Sequence, residues 1–253
     1  RDCLLSRGLG DVYKRQAVVQ ADLSEAVYTD TTWFADCEII FPETTDRSLI
    51  SMINKIVLTP ERIFLFDIQD KKILLFTRRG KFITDIRPHG RGPGEWLGIT
   101  DFTVDETDRE IIVTADRPYK FLYYDYNGNF LREKTSEAFY TEITRTTDNI
   151  LAINSKVLEP KHYLSLLNEE DHRITVAKKI PLAFTYRGEF RCRGSYLLKS
   201  EHLYFTQNGD YTIYSWDNNR IKPVVTVDFG KYSYNPTQLN EEPHAPATRN
   251  KCF

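Results

Sequence analysis

IFLFDIQDKKILLFTRRGKFI (Ile63–Ile83) is followed in this chain by a second stretch of the same kind, IIVTADRPYKFLYYDYNGNFL (Ile111–Leu131). Gly80 aligns with Gly128, and the two glycines are 48 residues apart. A β-rich repeat of this length is typical of a propeller blade, which has to stack on neighbouring blades to bury its faces. The repeat therefore predicts an all-β fold, a β-propeller built of four-stranded antiparallel blades.

Four blade-like blocks can be marked along the chain, each of four short strands separated by turn residues. They cover approximately residues 51–86, 99–134, 140–180 and 190–228, within a propeller domain predicted over residues 37–230. CEIIF (residues 37–41) has no hairpin partner nearby, so we expect a lone strand that closes the ring. Propellers usually have four to eight blades. Four blades and a closing strand do not obviously complete a ring, so we interpret them as a fragment of a larger ring rather than as an open arc.

Turn residues support this register. The stretches around Gly80 and Gly128 place a glycine where a hairpin needs a positive φ. In the fourth block Asn218 and Asn219 take that place, and Asn is the next most tolerant residue there.

The two ends of the chain do not share the repeat. Residues 1–16 resemble adapter read-through and are interpreted as a non-native leader, so an export signal would not be visible. Residues 17–36 are taken as an N-terminal extension, and residues 231–253 as an irregular or truncated tail.

Composition excludes several classes of function. Hydrophobic residues make up 41% of the chain and aromatic residues 13%, which suits pleated sheets. The net charge of −2 lacks the basic excess that nucleic-acid binding needs, so no nucleic-acid partner is expected. No stretch approaches the roughly 20 apolar residues of a membrane helix.

The four cysteines have irregular spacing. Cys3, Cys37, Cys192 and Cys252 form no CxxC pair, which argues against a metal centre. Buried free thiols and a Cys37–Cys192 disulfide both stay open at this point.

Three stretches carry a family resemblance: the lead-in Phe41–Leu58, the pair RIFLFD and LLFTRRGKFI (Arg62–Asp67, Leu74–Ile83), and GRGPGEW followed by DFTVD (Gly90–Trp96, Asp101–Asp105). Together they resemble the six-bladed, NHL-repeat-like propellers of gut-type Gram-negative bacteria. The resemblance implies two further blades and export to the periplasm or cell surface. It also implies a lipoprotein whose anchor is lost with the N-terminus.

The connector Arg87–Trp96 is the most distinctive candidate site. Its glycines and prolines fix an irregular path on which backbone amides can converge on an anion. We expect Arg87, His89 and Arg91 to supply positive charge, Glu95 to accept hydrogen bonds, and Trp96 to complete a ligand site. The competing interpretation is structural, with Glu95 binding loop amides and Trp96 packed between blades.

Other candidates are weaker. Asp67 and Asp116 recur at similar blade positions, where a carboxylate usually accepts hydrogen bonds from the following turn. The aromatic run Phe121–Tyr126 is better explained by strands buried between blades than by carbohydrate stacking. No catalytic or metal-ligating motif stands out, and no cofactor is expected.

The sequence thus favours a non-enzymatic binding or scaffold propeller. It would recognise a glycan, peptide or partner protein through one face or the channel. The alternative is a metal-dependent enzyme of the lactonase or lyase type, with a cation at the channel mouth.

Overall fold

A computed structural model describes part of the chain, namely residues 17–20, 38–153, 163–181, 197–199, 202–206, 211–217 and 220–230. These residues fall into two compact units. One contains residues 38–153 and 163–181, and the other contains the remaining described ranges.

The described ranges contain strands and no α-helix. The strands are β1 (Ala17–Gln20), β2 (Ile53–Leu58), β3 (Arg62–Asp67), β4 (Lys72–Thr77), β5 (Phe82–Ile86), β6 (Ile99–Asp105), β7 (Glu110–Asp116), β8 (Tyr119–Asp125), β9 (Phe130–Ser136), β10 (Glu142–Arg145), β11 (Ile150–Ile153), β12 (Tyr163–Glu169), β13 (Arg173–Pro181), β14 (Leu197–Lys199), β15 (Leu203–Phe205), β16 (Thr212–Asp217) and β17 (Arg220–Asp228).

The strands pair as consecutive antiparallel meanders, which is the order expected of propeller blades. The first blade is β2–β3–β4–β5, the second β6–β7–β8–β9 and the third β10–β11–β12–β13. The outer strands of the second and third blades also touch in parallel, through Arg173 with Thr135 and Ile174 with Ser136. In the other unit, β14–β15–β16–β17 forms a fourth meander.

Alternation along the strands explains why the repeat is so apolar. In β3, Phe64 and Phe66 belong to a core cluster shared with Phe102 and Val104 of the second blade. Their neighbours along the strand, such as Leu65, pack in a different cluster on the opposite face. Because successive side chains of a strand point to opposite faces, a strand covered on both faces must be apolar throughout.

The second blade is covered on its other face by the third. Ile112, Phe121 and Tyr123 form a cluster with residues of the third blade that include Ile143 and Ile150. Sheets stacked face to face in this way cannot bury their apolar surface alone. The predicted all-β propeller class is confirmed, whereas the number of blades in a complete ring stays a prediction.

The inner strands of the three blades meet at one buried carboxylate. Asp101 of β6 accepts a hydrogen bond from Lys55 Nζ of β2 at 2.8 Å and from the backbone N–H of Ile143, in β10, at 2.7 Å. Lys55 Nζ also donates to the Ile143 carbonyl at 2.9 Å. Burial raises the pKa of Asp101, although the ammonium and the amide favour its charged form.

The two predicted hairpin glycines have the expected conformation. Gly80 has φ +83° and Gly128 has φ +82°. Each glycine N–H donates to the last residue of the preceding strand, Thr77 at 2.9 Å and Asp125 at 3.0 Å. Asn218 and Asn219 lie outside the described residues, as do all four cysteines.

The predicted closing strand over residues 37–41 is wrong where it can be checked, since residues 38–41 have no strand. Glu43 N–H donates to the Gly80 carbonyl, and its side chain accepts from Phe82 N–H at 2.8 Å. Ile40 packs against the core cluster of the first blade. The segment is therefore held by a turn and a side chain rather than by a ladder of backbone hydrogen bonds.

The predicted N-terminal extension begins with a strand. Ala17–Gln20 is strand β1, paired in parallel with β17 from Val225 to Asp228. The three apolar residues of AVVQ include two β-branched valines, which suit a strand.

Candidate functional site

The connector between β5 and β6 is held in one path by its own short-range contacts. His89 and Trp96 form an isolated parallel bridge, and Gly90 N–H donates to the Trp96 carbonyl at 3.1 Å. Glu95 N–H donates to the Gly92 carbonyl, while a Glu95 carboxylate oxygen accepts from Gly92 N–H at 2.9 Å. Glu95 thus binds a loop amide with Oε2.

Side chains of the second blade bind backbone groups of the connector. Glu133 Oε2 accepts from Gly94 N–H at 2.9 Å and from Lys120 Nζ at 2.8 Å. Lys120, which is buried, also donates to the Gly92 carbonyl, and Tyr124 Oη donates to the Gly94 carbonyl at 2.8 Å. Burial opposes ionisation of Glu133, but the bonds from Lys120 and Gly94 outweigh it, so the pKa of Glu133 lies below its ordinary value.

Trp96 is a core residue. Its side chain is only 1% exposed and meets the Tyr124 ring edge-on, with 6.0 Å between ring centroids. It belongs to the cluster shared by the first and second blades. A ligand would find almost no Trp96 surface to touch, so the indole anchors the connector instead.

Connector residues contribute to the lining of two open clefts. The first cleft has a volume of about 490 Å³, and Arg87, Glu95 and Phe130 contribute to its lining. Arg47 and Asp85 lie there too, joined by a hydrogen bond from Arg47 Nε to Asp85 Oδ1 of 2.9 Å. The first cleft therefore combines charges of both signs with an aromatic ring that is 41% exposed.

The second cleft has a volume of about 570 Å³. Its lining is Arg91, Leu97, Asp116, Arg117, Pro118 and Tyr119. Arg91 is exposed and has no ion-pair partner among the residues that the structure describes. The lining of the second cleft thus combines apolar side chains with two guanidinium groups.

The five residues predicted from the sequence are therefore not one cluster. Arg87 and Glu95 share the first cleft, Arg91 lines the second, His89 is exposed but lines neither, and Trp96 is buried. We define the connector ridge as residues 87–96. It contributes residues to both clefts and carries Arg87, His89 and Arg91 as exposed side chains.

Several cleft residues carry no sequence signal. Arg47 and Phe130 are far from the connector in the sequence, and only the stacking of the blades brings them to the first cleft. Asp116 does carry a sequence signal, because it recurs with Asp67 at similar blade positions. That pattern, however, predicts a hydrogen bond to a turn and not a place in a cleft.

A separate charged cluster joins the second and third blades. Arg145 Nε lies 2.7 Å from Asp105 Oδ2, and its Nη1 lies 2.6 Å from Glu169 Oε1. Tyr123 Oη donates to the other Glu169 oxygen at 2.7 Å. Each of these side chains is bound to a side chain from another strand, so the cluster holds the second and third blades together.

Metal ligands do not cluster in the described ranges. No group of three or more His, Cys, Asp or Glu side chains there could hold a metal ion. The same ranges include no helix that is long and apolar enough to cross a membrane.

Stacked four-stranded meanders with a rigid connector define a propeller-like protein. More specifically, the chain belongs to the family described as "Domain of unknown function (DUF4934)", whose model matches residues 19–253. No curated protein matches the chain.

Solved structures are similar to this chain at low sequence identity. A "putative exported protein" of Bacteroides fragilis aligns with a TM-score of 0.65 and 18% identity, over 84% of this chain and 60% of that one. A protein of unknown function from Bacteroides caccae aligns at 0.45 with 16% identity, over 68% and 60%. The RRP9 WD40 repeats align at 0.45 with 13% identity, over 72% and 52%. The chain thus spans about three fifths, or less, of these proteins.

Proposed function

We propose that this protein is a non-enzymatic, exported binding propeller that holds a glycan, peptide or partner protein on the connector ridge and its two clefts. The observation that carries the proposal is the fixed path of the ridge. Its amides and carbonyls are bound by Glu133, Lys120 and Tyr124 of the next blade. A ligand would therefore meet a surface that is already ordered, which lowers the entropic cost of binding.

The charges on the ridge suit recognition rather than packing. Arg87 and Arg91 are exposed, and Arg87 Nε lies 3.6 Å from Asp85 Oδ2. Exposed guanidinium groups can bind carboxylates or phosphates through two parallel hydrogen bonds. Phe130 and Tyr119 add aromatic surface to the first and second clefts, respectively.

Export is part of the proposal and is supported by the name of the Bacteroides fragilis protein with the same fold. The family resemblance on the Gly90–Trp96 connector points the same way and adds the six-bladed ring and the lipid anchor. Fractionation of cells that express the intact coding sequence tests this part: recovery in the cytoplasm would contradict it.

The binding proposal can be tested on arrays of glycans and peptides with the full chain. The test variant is Arg87→Ala combined with Arg91→Ala. The matched control is Arg79→Ala combined with Lys81→Ala, which also removes two exposed charges. These two residues lie in the β4–β5 turn before β5, whereas the connector follows the other end of β5.

We expect a ligand that the unchanged protein and the control bind alike and that the ridge variant binds at least about tenfold more weakly. Equal loss in both variants would mean non-specific charge attraction. Absence of any array ligand, or turnover of a lactone or glycan that needs a divalent cation, would contradict the binding proposal.

A further inference from the structure

The two repeated aspartates have different surroundings. Asp67 ends β3 in the first blade and Asp116 ends β7 in the second. The Asp67 side chain is fully buried, and its two oxygens accept four backbone N–H groups at 2.7–3.3 Å, from Ser51, Met52, Gln69 and Asp70. The fold therefore uses the hydrogen-bonding capacity of Asp67, as the sequence pattern predicts.

Asp116 has no such set of donors. Its Oδ1 is buried and has no hydrogen-bond partner among the described residues, and its Oδ2 lies 3.4 Å from Arg117 Nε. The turn after Asp116 is Arg117–Pro118, and proline has no N–H to offer. A buried carboxylate oxygen without a donor is rare and calls for an explanation.

Asp116 also lines the second cleft, and because Oδ1 is buried against Gly98, Oδ2 is the carboxylate oxygen left for a ligand. The Asp116 side chain is 26% exposed, and the Arg117 side chain is 67% exposed. Arg91 comes to the same cleft from the connector ridge. Two cations against one anion leave the second cleft positive, so it favours a ligand with negative charge.

The second cleft also has an aromatic and apolar part. Tyr119 is half-buried and packs against Phe139, with 6.0 Å between ring centroids and 56° between ring planes. Pro118 and Leu97 extend this surface. Such a floor suits a ligand that presents C–H groups on one face and polar groups at its edge.

From the Asp116 carboxylate, the Arg91 and Arg117 guanidinium groups and the Tyr119 ring, we propose that the second cleft binds a uronic acid unit of an acidic saccharide. The sugar carboxylate binds Arg91 and Arg117, a hydroxyl group donates to Asp116 Oδ2, and the ring lies over Tyr119. A sugar carries donors, an anion and a C–H face together, which matches the lining better than a neutral sugar or an inorganic anion. This assignment rests on the proposed binding function and names the ligand class for one cleft.

Isothermal titration calorimetry with the full chain tests the assignment through three probes. The first is trigalacturonate, the second its methyl ester, which has the same sugars without the charge, and the third triglutamate, which has side-chain carboxylates without the sugars. The variants are Arg117→Ala and Asp116→Asn, and the control is Arg79→Ala in the β4–β5 turn.

We expect trigalacturonate to bind at least about tenfold more tightly than either other probe, since charge-assisted hydrogen bonds contribute on this scale. Arg117→Ala should weaken trigalacturonate about tenfold and leave the ester unchanged. Asp116→Asn should weaken both saccharides, because both donate hydroxyl groups to that carboxylate. The control should bind like the unchanged protein.

Equal binding of the ester would overturn recognition of the acid, and equal binding of triglutamate would overturn recognition of a sugar. If Arg117→Ala lowers the melting temperature, Arg117→Lys replaces it, since lysine keeps the charge but loses the planar fork. Failure of all three probes, with another ligand found on the arrays, refutes this inference alone. Failure of the arrays as well refutes the proposed function.

Discussion

Replacing Asp101 with alanine should destabilise the stack of blades more than any surface change. The carboxylate is the shared partner of Lys55 in the first blade and Ile143 in the third. The Lys55 side chain is only 11% exposed, so the variant would leave a nearly buried ammonium without its counter-ion. Removing one member of a buried pair costs about 3–5 kcal/mol of the free energy of unfolding.

For a chain of this length that loss corresponds to a fall in melting temperature of about 6 °C or more, at about 2–4 °C per kcal/mol. The primary assay is urea denaturation followed by circular dichroism. It should be run on Asp101→Ala, Lys55→Met and the double variant. Because the two side chains are in contact, the double variant should cost less than the sum of the single ones by at least about 1 kcal/mol.

An exposed ion pair between the same two blades serves as the control. Arg109 and Glu61 are paired, with side chains 50% and 52% exposed. Glu61→Ala should therefore leave the urea midpoint close to that of the unchanged protein. If Asp101→Ala costs no more than Glu61→Ala, or if the Asp101 and Lys55 changes are additive, the three inner strands do not meet at this carboxylate.

Two further changes test the connector. Trp96→Ala should lower the free energy of unfolding by about 3–5 kcal/mol in urea denaturation, because a large side chain is removed from the core shared by two blades. A loss below about 1 kcal/mol would show that Trp96 is not buried. The lowered pKa of Glu133 means that its ionised form stabilises the fold above the carboxyl's unfolded pKa, and that this stabilisation is lost as pH falls through the lower folded pKa. Glu133→Gln should therefore flatten the pH dependence of the urea midpoint below about pH 5, and an unchanged acid slope would contradict the Lys120 and Gly94 contacts.

The sequence predicts the blades well because the relevant physics is local. Apolar runs such as those in β3 and β7 signal strands covered on both faces, and Gly80 and Gly128 mark the turns through their positive φ. The error over residues 37–41 has a different origin. CEIIF has the composition of a strand. The nearby Glu43 is instead held by hydrogen bonds to the Gly80 carbonyl and from the Phe82 N–H, and composition does not reveal such contacts.

The candidate site could be predicted only in part. The glycines and prolines of the connector make it distinctive, and they locate the ridge. The clefts depend on residues that blade stacking brings in from elsewhere, such as Arg47, Phe130 and Tyr119. The unsatisfied Asp116 becomes visible only by comparison with Asp67, since the difference between them lies in which amides surround each carboxylate.

Whether the connector ridge is preformed can be measured directly by hydrogen–deuterium exchange at single-amide resolution in the free protein. The N–H groups of Gly90, Gly92, Gly94 and Glu95 all have hydrogen-bond acceptors. We expect them to exchange at least about tenfold more slowly than the amide of Arg91 in the same loop. Exchange of all five at the rate of an open loop would contradict a rigid ridge, and with it the proposed binding face.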